Sequence, residues 1–174
     1  GLKLLIKVII DNFRIYALKR AFAVIFENNA MLERSKELYS LKNTLYSKPS
    51  INQQINDEFL DFPEISADTK VGLFLCGWQK NKNYMLIPEI LKEFRNKGLK
   101  FHIVITASKS EKKSYDEFMY KVKNYGVEEM VTIFGPVKKT KLGALYRKID
   151  YVFLLSKLES FSNNIIESWF FQKV

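Results

Sequence analysis

From residue 71 onward, the sequence alternates four times between a short apolar run and a longer, more polar segment. Runs that are apolar along nearly their whole length are typical of strands in parallel sheets, which are buried on both faces. The alternation therefore predicts an α/β domain with a Rossmann-like parallel sheet and helices on both faces. The predicted strands are 71–76, 101–105, 131–134 and 151–155, and the predicted helices are 83–97, 111–125, 139–148 and 163–172.

Residues 2–20 are expected to form a helix. Their polar side chains recur at intervals of four, four and three residues, which marks one helical face. We expect this helix to pack on a sheet, and the alternative is a position on a membrane surface. It carries too much charge for a transmembrane span. The polar side chains are Lys3, Lys7, Asp11 and Arg14.

Three shorter elements are expected before residue 49. The run 22–26 predicts a buried strand, and a second short strand is expected near 44–46. Between them, Asn28 or Asn29 is suited to cap a helix that runs through 31–38.

The polar, turn-rich segment 49–70 predicts a linker between two domains. We therefore divide the chain into 1–48, the end of an N-terminal domain, the linker 49–70, and 71–174, the Rossmann-like domain. The chain begins without Met and stops within an apolar run, so we expect a piece of a longer protein that is truncated at its C-terminus.

Composition narrows the classes of function. A hydrophobic fraction of 47% and a charged fraction of 27% fit a folded soluble domain and exclude wholesale disorder. Cys76 and His102 are the single cysteine and the single histidine, which excludes an internal disulfide framework and a Cys-cluster or multi-His zinc site. The net charge of +9 favours an anionic partner. Residues 71–174 hold 18 basic and 10 acidic side chains, against 10 and 9 before them, so we expect the anion to meet the second part.

Ligands of open parallel sheets bind beyond the carboxyl ends of the strands, and lysine and hydroxyl side chains recur there in this sequence. The helix predicted from Asn163 would add its free N–H groups and positive dipole end. The pattern favours a phosphate or diphosphate. The sequence has neither a G-x-G-x-x-G after the first strand nor a G-x-x-x-x-G-K-[ST], so standard dinucleotide and P-loop sites lose support. The four edge segments are 77–83, 106–110, 135–138 and 156–163.

Glu159 and Glu167 are eight residues apart, across the last of these segments and the helix after it. Glu167 falls on a helix that is otherwise apolar, where a carboxylate needs a partner. A ribose diol is one candidate, because carboxylates bind such diols in nucleotide sites. A neighbouring backbone group or the helix surface is the alternative.

Residues 156–168, S-x-x-E-S-F-S-N-x-x-x-E-S, resemble the E-x(7)-E signature of the large retaining glycosyltransferase family four, which has the GT-B fold. Gly77 followed by Lys82-Asn83 is similar to the family's turn after the first strand of its C-terminal domain. Residues 134–137, F-G-P-V, and then Leu145-Tyr146 and Asp150 resemble the family's F-x-G-x-V and L-Y…A-D stretch. The resemblance covers about residues 70–174.

The resemblance implies a donor site for a UDP- or GDP-sugar, with no metal and no separate cofactor. Lys82 would contact the diphosphate and Glu159 would face the sugar ring, and both are implied to be catalytic. Glu167 would hold the ribose hydroxyls, and Val137 would pack near the base. The implied donor-binding residues are Gly77, Lys80, Lys82, Val137, Ser160, Phe161, Ser162, Asn163 and Glu167.

The chain also departs from the family pattern. Trp78 stands where the family has an arginine, and Lys80 is the candidate for the second cation. Trp78 itself is expected either to stack on a ligand or to seal the edge of the sheet. Ser160 and Ser162 replace the usual pair of glycines.

The implied activity is transfer of the sugar, with retention, to a polysaccharide or lipid-linked acceptor in the cytoplasm. Peripheral association with the inner face of the membrane, through 2–20 and Lys138, Lys139 and Lys141, is compatible with it. We expect this chain alone to be inactive.

One alternative is a non-transferase, epimerase-like protein of the same fold that binds nucleotide sugars, which Trp78 favours. The other is a nucleic-acid-binding domain, which only the charge suggests; the lysines cluster at strand ends and helix surfaces instead of forming one basic face interleaved with aromatics, so we expect no nucleic acid.

Overall fold

The computed structural model describes residues 1–48, 58–159 and 162–173. The chain forms two compact units, residues 1–50 and 51–174. The predicted linker overlaps residues outside the described ranges, and the domain boundaries at 48 and 70 stay predictions.

The first unit contains a two-stranded parallel sheet and two helices. Asn28 caps the second helix, because its Oδ1 accepts hydrogen bonds from the backbone N–H groups of Ala30 and Met31 at 2.8 and 3.2 Å. The two strands pair in register from Val24 with Thr44 to Phe26 with Tyr46. In chain order the elements are α1 (Leu2–Arg20), β1 (Val24–Phe26), α2 (Asn29–Tyr39) and β2 (Thr44–Tyr46).

Two predictions for this unit are wrong. The helix at 2–20 exists as α1, but none of its residues, all of which the structure describes, is buried. A sheet of two three-residue strands offers too little apolar surface to cover nineteen helical residues. Only Val24–Phe26 of the run 22–26 forms a strand, and this strand is not buried. Phe22 is fully exposed, and the Ile25 side chain points to solvent between two half-buried neighbours. Among the helices of the described ranges, none combines the length and apolar content that a bilayer span requires.

The second unit is built on a four-stranded parallel sheet with the order β5-β4-β3-β6. Its strands are β3 (Lys70–Phe74), β4 (Phe101–Ile105), β5 (Val131–Ile133) and β6 (Tyr151–Val152), and its helices are α3 (Ile87–Asn96), α4 (Lys112–Tyr125), α5 (Leu142–Arg147) and α6 (Asn163–Phe170). Strand and helix alternate as predicted, which confirms the α/β class.

Several boundaries differ from the predictions. Helix α3 begins four residues late, because Asn83 adopts a left-handed conformation with φ of 58° between two 3-10 turns. Helix α5 likewise follows a 3-10 turn at Lys139–Lys141. Strand β6 has two residues instead of the predicted 151–155, although the Phe153 N–H still donates to the Leu73 carbonyl at 2.7 Å.

The two faces of the sheet carry separate apolar clusters. On β3, Phe74 joins the cluster under α3 and α4, whereas Leu73 joins the cluster under α5. On β4, Ile103 and Ile105 belong to the first cluster and Val104 to the second. Adjacent strand residues thus point to opposite covered faces, which explains why these strands are apolar without alternation.

Asp150 ties the start of β6 to the start of β3. Its Oδ2 accepts from the Val71 N–H at 2.8 Å, and its own N–H donates to the Val71 carbonyl at 2.8 Å. The Lys70 ammonium lies 3.3 Å from Oδ1. The backbone bond from Val71 and then Lys70 lower the pKa of Asp150 below its usual 3.8.

Replacing Leu91 by Ala is expected to destabilise the second unit by about 3 kcal/mol, because Leu91 is fully buried on the inner face of α3 and the smaller side chain leaves a cavity. Urea unfolding measures the change. Leu158→Ala is the matched control: this leucine is 77% exposed, so its loss should cost less than about 0.5 kcal/mol. Equal losses in the free energy of unfolding for the two variants would contradict the placement of Leu91 in the core.

Asp150→Asn is expected to lower the free energy of unfolding by about 1 kcal/mol at neutral pH, since an amide accepts less strongly than a half-exposed carboxylate. The folded pKa of Asp150 is lowered, so the stability that it contributes is present above its ordinary pKa and is lost as the pH falls through the folded value. Urea midpoints from neutral pH to about pH 2.5 should therefore converge for the two proteins. A difference between the two urea midpoints that does not change with pH would contradict the stabilising role of the ionised Asp150 carboxylate.

Candidate functional site

Side-chain hydrogen bonds join the loops that follow β3 and β4. The Thr106 hydroxyl accepts from the Cys76 N–H at 3.0 Å and lies 3.3 Å from the Cys76 carbonyl. Because Thr106 is buried, these two contacts also give its hydroxyl the hydrogen-bond partners that water cannot supply. The two loops are therefore fixed to each other at the carboxyl edge of the sheet.

The loop after β6 and the start of α6 are held at the same edge. The Lys157 N–H donates to the Asn81 carbonyl at 2.8 Å, which joins the loop after β6 to the turn after β3. The Asn164 side chain donates to the Leu75 carbonyl at 2.9 Å, which fixes the first turn of α6 against the end of β3. Three of the four predicted edge segments thus meet in one place.

Lys82 and Glu159, the two predicted catalytic residues, form an ion pair. The Ser156 hydroxyl donates to the same carboxylate oxygen, Oε1 of Glu159, at 2.6 Å. About a quarter of each charged side chain is exposed, 27% for Lys82 and 23% for Glu159. The bonds from Lys82 and then Ser156 lower the pKa of Glu159, so this carboxylate is ionised at neutral pH.

Glu167 has a partner that the sequence did not reveal. The Tyr146 hydroxyl on α5 donates to Oε2 of Glu167 at 2.9 Å. Burial, and then the charge and hydrogen bond of Glu167, raise the pKa of Tyr146 above its ordinary value, so the phenol keeps its proton. The one available signal was the Leu145-Tyr146 pair, which the family resemblance pointed to without a role for it.

The other predicted donor-binding residues take varied positions around this edge. Gly77 precedes the turn Lys80–Lys82, in which Lys80 is exposed. Val137 is half-buried and packs on the cluster under α5. Ser162 precedes α6 and Asn163 is its first residue, as predicted. Ser160 and Phe161 lie outside the described residues.

Trp78 seals the sheet and does not offer its face to a ligand. It is 4% exposed, and its indole N–H donates to the Ser108 carbonyl at 2.6 Å. Its ring meets Tyr84 edge-on, with centroids 5.0 Å apart, and also packs on Phe118. An arginine at this position would leave a charge in an apolar cluster, so the tryptophan is explained by packing.

Cys76 and His102 take no part in the candidate site chemistry. Burial raises the pKa of the Cys76 thiol to about 12, so it is neutral. His102 lies near the amino end of β4, where its Nε2 is 2.9 Å from the Thr132 hydroxyl and burial lowers its pKa. Within the described ranges, no group of three or more His, Cys, Asp or Glu side chains is arranged to hold a metal ion.

A family model described as glycosyl transferases group 1 matches residues 56–173. No curated protein sequence matches the chain. Solved structures do match its fold.

Three of these structures illustrate the likeness. A glycosyltransferase from Rickettsia africae has 17% identity and a TM-score of 0.75, with 94% of this chain and 46% of that chain covered. Sucrose-phosphate synthase from Thermosynechococcus elongatus has 15% identity and a TM-score of 0.73, with 89% and 40% covered. Anabaena HepE, solved with UDP and glucose, has 15% identity and a TM-score of 0.72, with 90% and 44% covered. The chain therefore spans less than half of each, and the likeness shows the fold.

Cys76 is expected to resist thiol reagents while the chain is folded. A rise in its pKa from 9.0 to about 12 lowers the thiolate fraction about a thousandfold. Ellman's reagent at about pH 8 should therefore react at least about 100-fold more slowly with the native protein than with the protein in urea. Because the chain has one cysteine, the signal needs no correction. Equal rates would contradict the burial of this thiol.

Proposed function

Because the chain belongs to the glycosyl transferases group 1 family, we propose that it is the donor-binding part of a retaining, GT-B glycosyltransferase of family four. The donor is a UDP- or GDP-sugar, and the acceptor is a polysaccharide or a lipid-linked glycan. The reaction takes place in the cytoplasm and uses no bound metal. Peripheral association of the protein with the inner face of the membrane is compatible with it.

The observation that carries the proposal is the pairing of Lys82 with Glu159 at the carboxyl edge of the sheet. A diphosphate carries more negative charge than one carboxylate, so it competes for the Lys82 ammonium. As Lys82 moves to the diphosphate it stabilises the leaving group, and Glu159 becomes available to face the positive charge that develops near the anomeric carbon. The bonds from Lys82 and Ser156 lower the pKa of Glu159 and so keep this carboxylate ionised until the diphosphate binds.

Helix α6 supplies a second source of positive potential. Its first turn is attached to the end of β3 through Asn164 and Leu75, so its N–H groups lie near the same edge as Lys82. A helix N-terminus favours phosphate oxygens because its first N–H groups lack intrahelical partners. Lys82 and this helix end together do the work that a divalent cation does in other phosphoryl sites.

Glu167 is assigned to the ribose hydroxyls. Its carboxylate already accepts the Tyr146 hydroxyl, and a carboxylate has room for further donors. The presence of UDP and glucose in the similar HepE structure supports a nucleoside-diphosphate sugar as the ligand.

Binding of a nucleotide sugar without transfer is a second candidate function. The observation that favours it is Trp78, a core residue where the family has an arginine, which leaves Lys80 and Lys82 as the cations of that turn. Transfer assays on the full protein, with NMR of the anomeric configuration of the product, separate the two candidates and test retention.

Titration calorimetry with UDP and with GDP, in EDTA, tests the donor site. We expect one of the two nucleotides to bind, and Lys82→Ala or Glu167→Ala to weaken that binding about 10- to 100-fold, because each variant loses a hydrogen bond to a charged group. Lys123→Ala is the matched control, since this exposed lysine lies at the other end of α4 from the site loops and its loss changes the net charge equally.

Two outcomes would overturn the proposal. One is saturable binding of single-stranded DNA with a steep salt dependence and no binding of either nucleotide. The other is nucleotide binding that the Lys82 and Lys123 variants weaken to the same extent, which would indicate non-specific charge attraction.

A further inference from the structure

We propose that Tyr146 is a positioning residue that orients the Glu167 carboxylate toward the ribose and thereby sets the preference for a ribonucleotide donor. This inference rests on the proposed function, because it concerns the same donor site. Tyr146 itself is not expected to touch the nucleotide.

Tyr146 holds α6 at two points. Its hydroxyl donates to Oε2 of Glu167 at 2.9 Å. Its ring stacks on Phe171, with centroids 5.0 Å apart and planes only 7° from parallel. Phe171 directly follows α6, and its N–H donates to the Glu167 carbonyl at 3.1 Å, so Glu167 and Phe171 are one turn apart on the side that meets Tyr146.

The surroundings of Tyr146 make this hydrogen bond hard to replace. The side chain is fully buried in the apolar cluster with Leu73, Val104 and Leu145. A hydroxyl in such a cluster needs a partner, because burial without one is costly. Since Tyr146 remains protonated, it acts as a permanent donor to Glu167.

A fixed donor on one carboxylate oxygen determines where the other oxygen points. The two oxygens of a carboxylate diverge in one plane, so a bond to Oε2 restricts the rotation of that plane and directs Oε1 away from Tyr146. A pre-oriented acceptor loses less side-chain freedom when a ligand binds. The benefit goes only to a ligand with a hydroxyl at the matching place, such as the 2′-hydroxyl of ribose.

The test compares UDP or GDP, whichever binds, with its 2′-deoxy analogue, by calorimetry on the wild-type chain and on Tyr146→Phe. The wild type should bind the ribonucleotide about 10- to 100-fold more tightly than the deoxynucleotide. In Tyr146→Phe, which loses one oxygen atom and keeps the ring on Phe171, this ratio should fall at least threefold. Affinity for the deoxynucleotide should stay within about twofold.

Phe171→Leu is the control, because it loosens the same helix contact but retains the hydroxyl. It should lower the midpoint of thermal unfolding and leave the ribose preference unchanged. A preference that falls in Phe171→Leu as much as in Tyr146→Phe would overturn the inference, since general loosening of α6 would then explain both. If Tyr146→Phe is too unstable to titrate, Phe171→Leu alone decides: loss of the ribose preference in this variant, which retains the hydroxyl, would overturn the inference, and an unchanged preference would support it.

Other results also have defined meanings. An unchanged or higher ribose preference in Tyr146→Phe would overturn the inference, because the hydroxyl would then be neutral or a competitor for Glu167. Absence of nucleotide binding by the wild type would instead refute the proposed function. A wild type that binds ribonucleotide and deoxynucleotide equally would overturn the ribose role of Glu167 and the role of Tyr146 with it, while leaving the diphosphate site in place.

Discussion

The second unit depends on one strand. Strand β3 pairs in parallel with β4 on one side and with β6 on the other, so its backbone is bonded along both edges, and both of its faces are covered by apolar clusters. At Gly72 the neighbouring rings of Phe101 and Phe153 come so close that a Cβ would clash with both. A shift of this strand would break its backbone hydrogen bonds to β4 and β6 and would also disrupt the side-chain packing on both faces. Everything at its carboxyl end therefore has a fixed base.

In the candidate site at the carboxyl end of β3, the carboxylates are hydrogen-bonded to neighbouring side chains. Its two predicted carboxylates are held by other residues: Glu159 by Lys82 and Ser156, and Glu167 by Tyr146. Half-buried charges without partners would destabilise the fold or change protonation. The two carboxylates are thus held in defined orientations at the carboxyl edge of the sheet.

The sequence predicted the elements that burial dictates and failed where the outcome depends on contacts between distant residues. Strands β3, β4 and β5 were predicted because residues buried on both faces must be apolar. A cap at Asn28 or Asn29 was predicted because its chemistry is local, and the structure places it at Asn28. The left-handed Asn83 that delays α3 was not foreseen, and neither was the exposure of α1, since that depends on how much sheet is present to cover it.

The same distinction applies to the site. The positions of Lys82, Glu159 and Asn163 at the carboxyl edge result from strand order alone, because parallel strands end on one side. The bond between Tyr146 and Glu167 joins residues on two different helices, 21 positions apart, and no local pattern encodes it. Trp78 was ambiguous in the sequence because an aromatic side chain at a strand end suits both a ligand and a core, and only its burial decides.

The link between the loops after β3 and β6 is made by main-chain atoms, the N–H of Lys157 and the carbonyl of Asn81. Such a bond is indifferent to the side chains at both positions, apart from proline at 157, which would remove the donor. Substitutions there can accumulate without loosening the site. An evolutionary comparison that ranks positions by residue identity would thus overlook these two, although the spacing between the cation and the carboxylates depends on them.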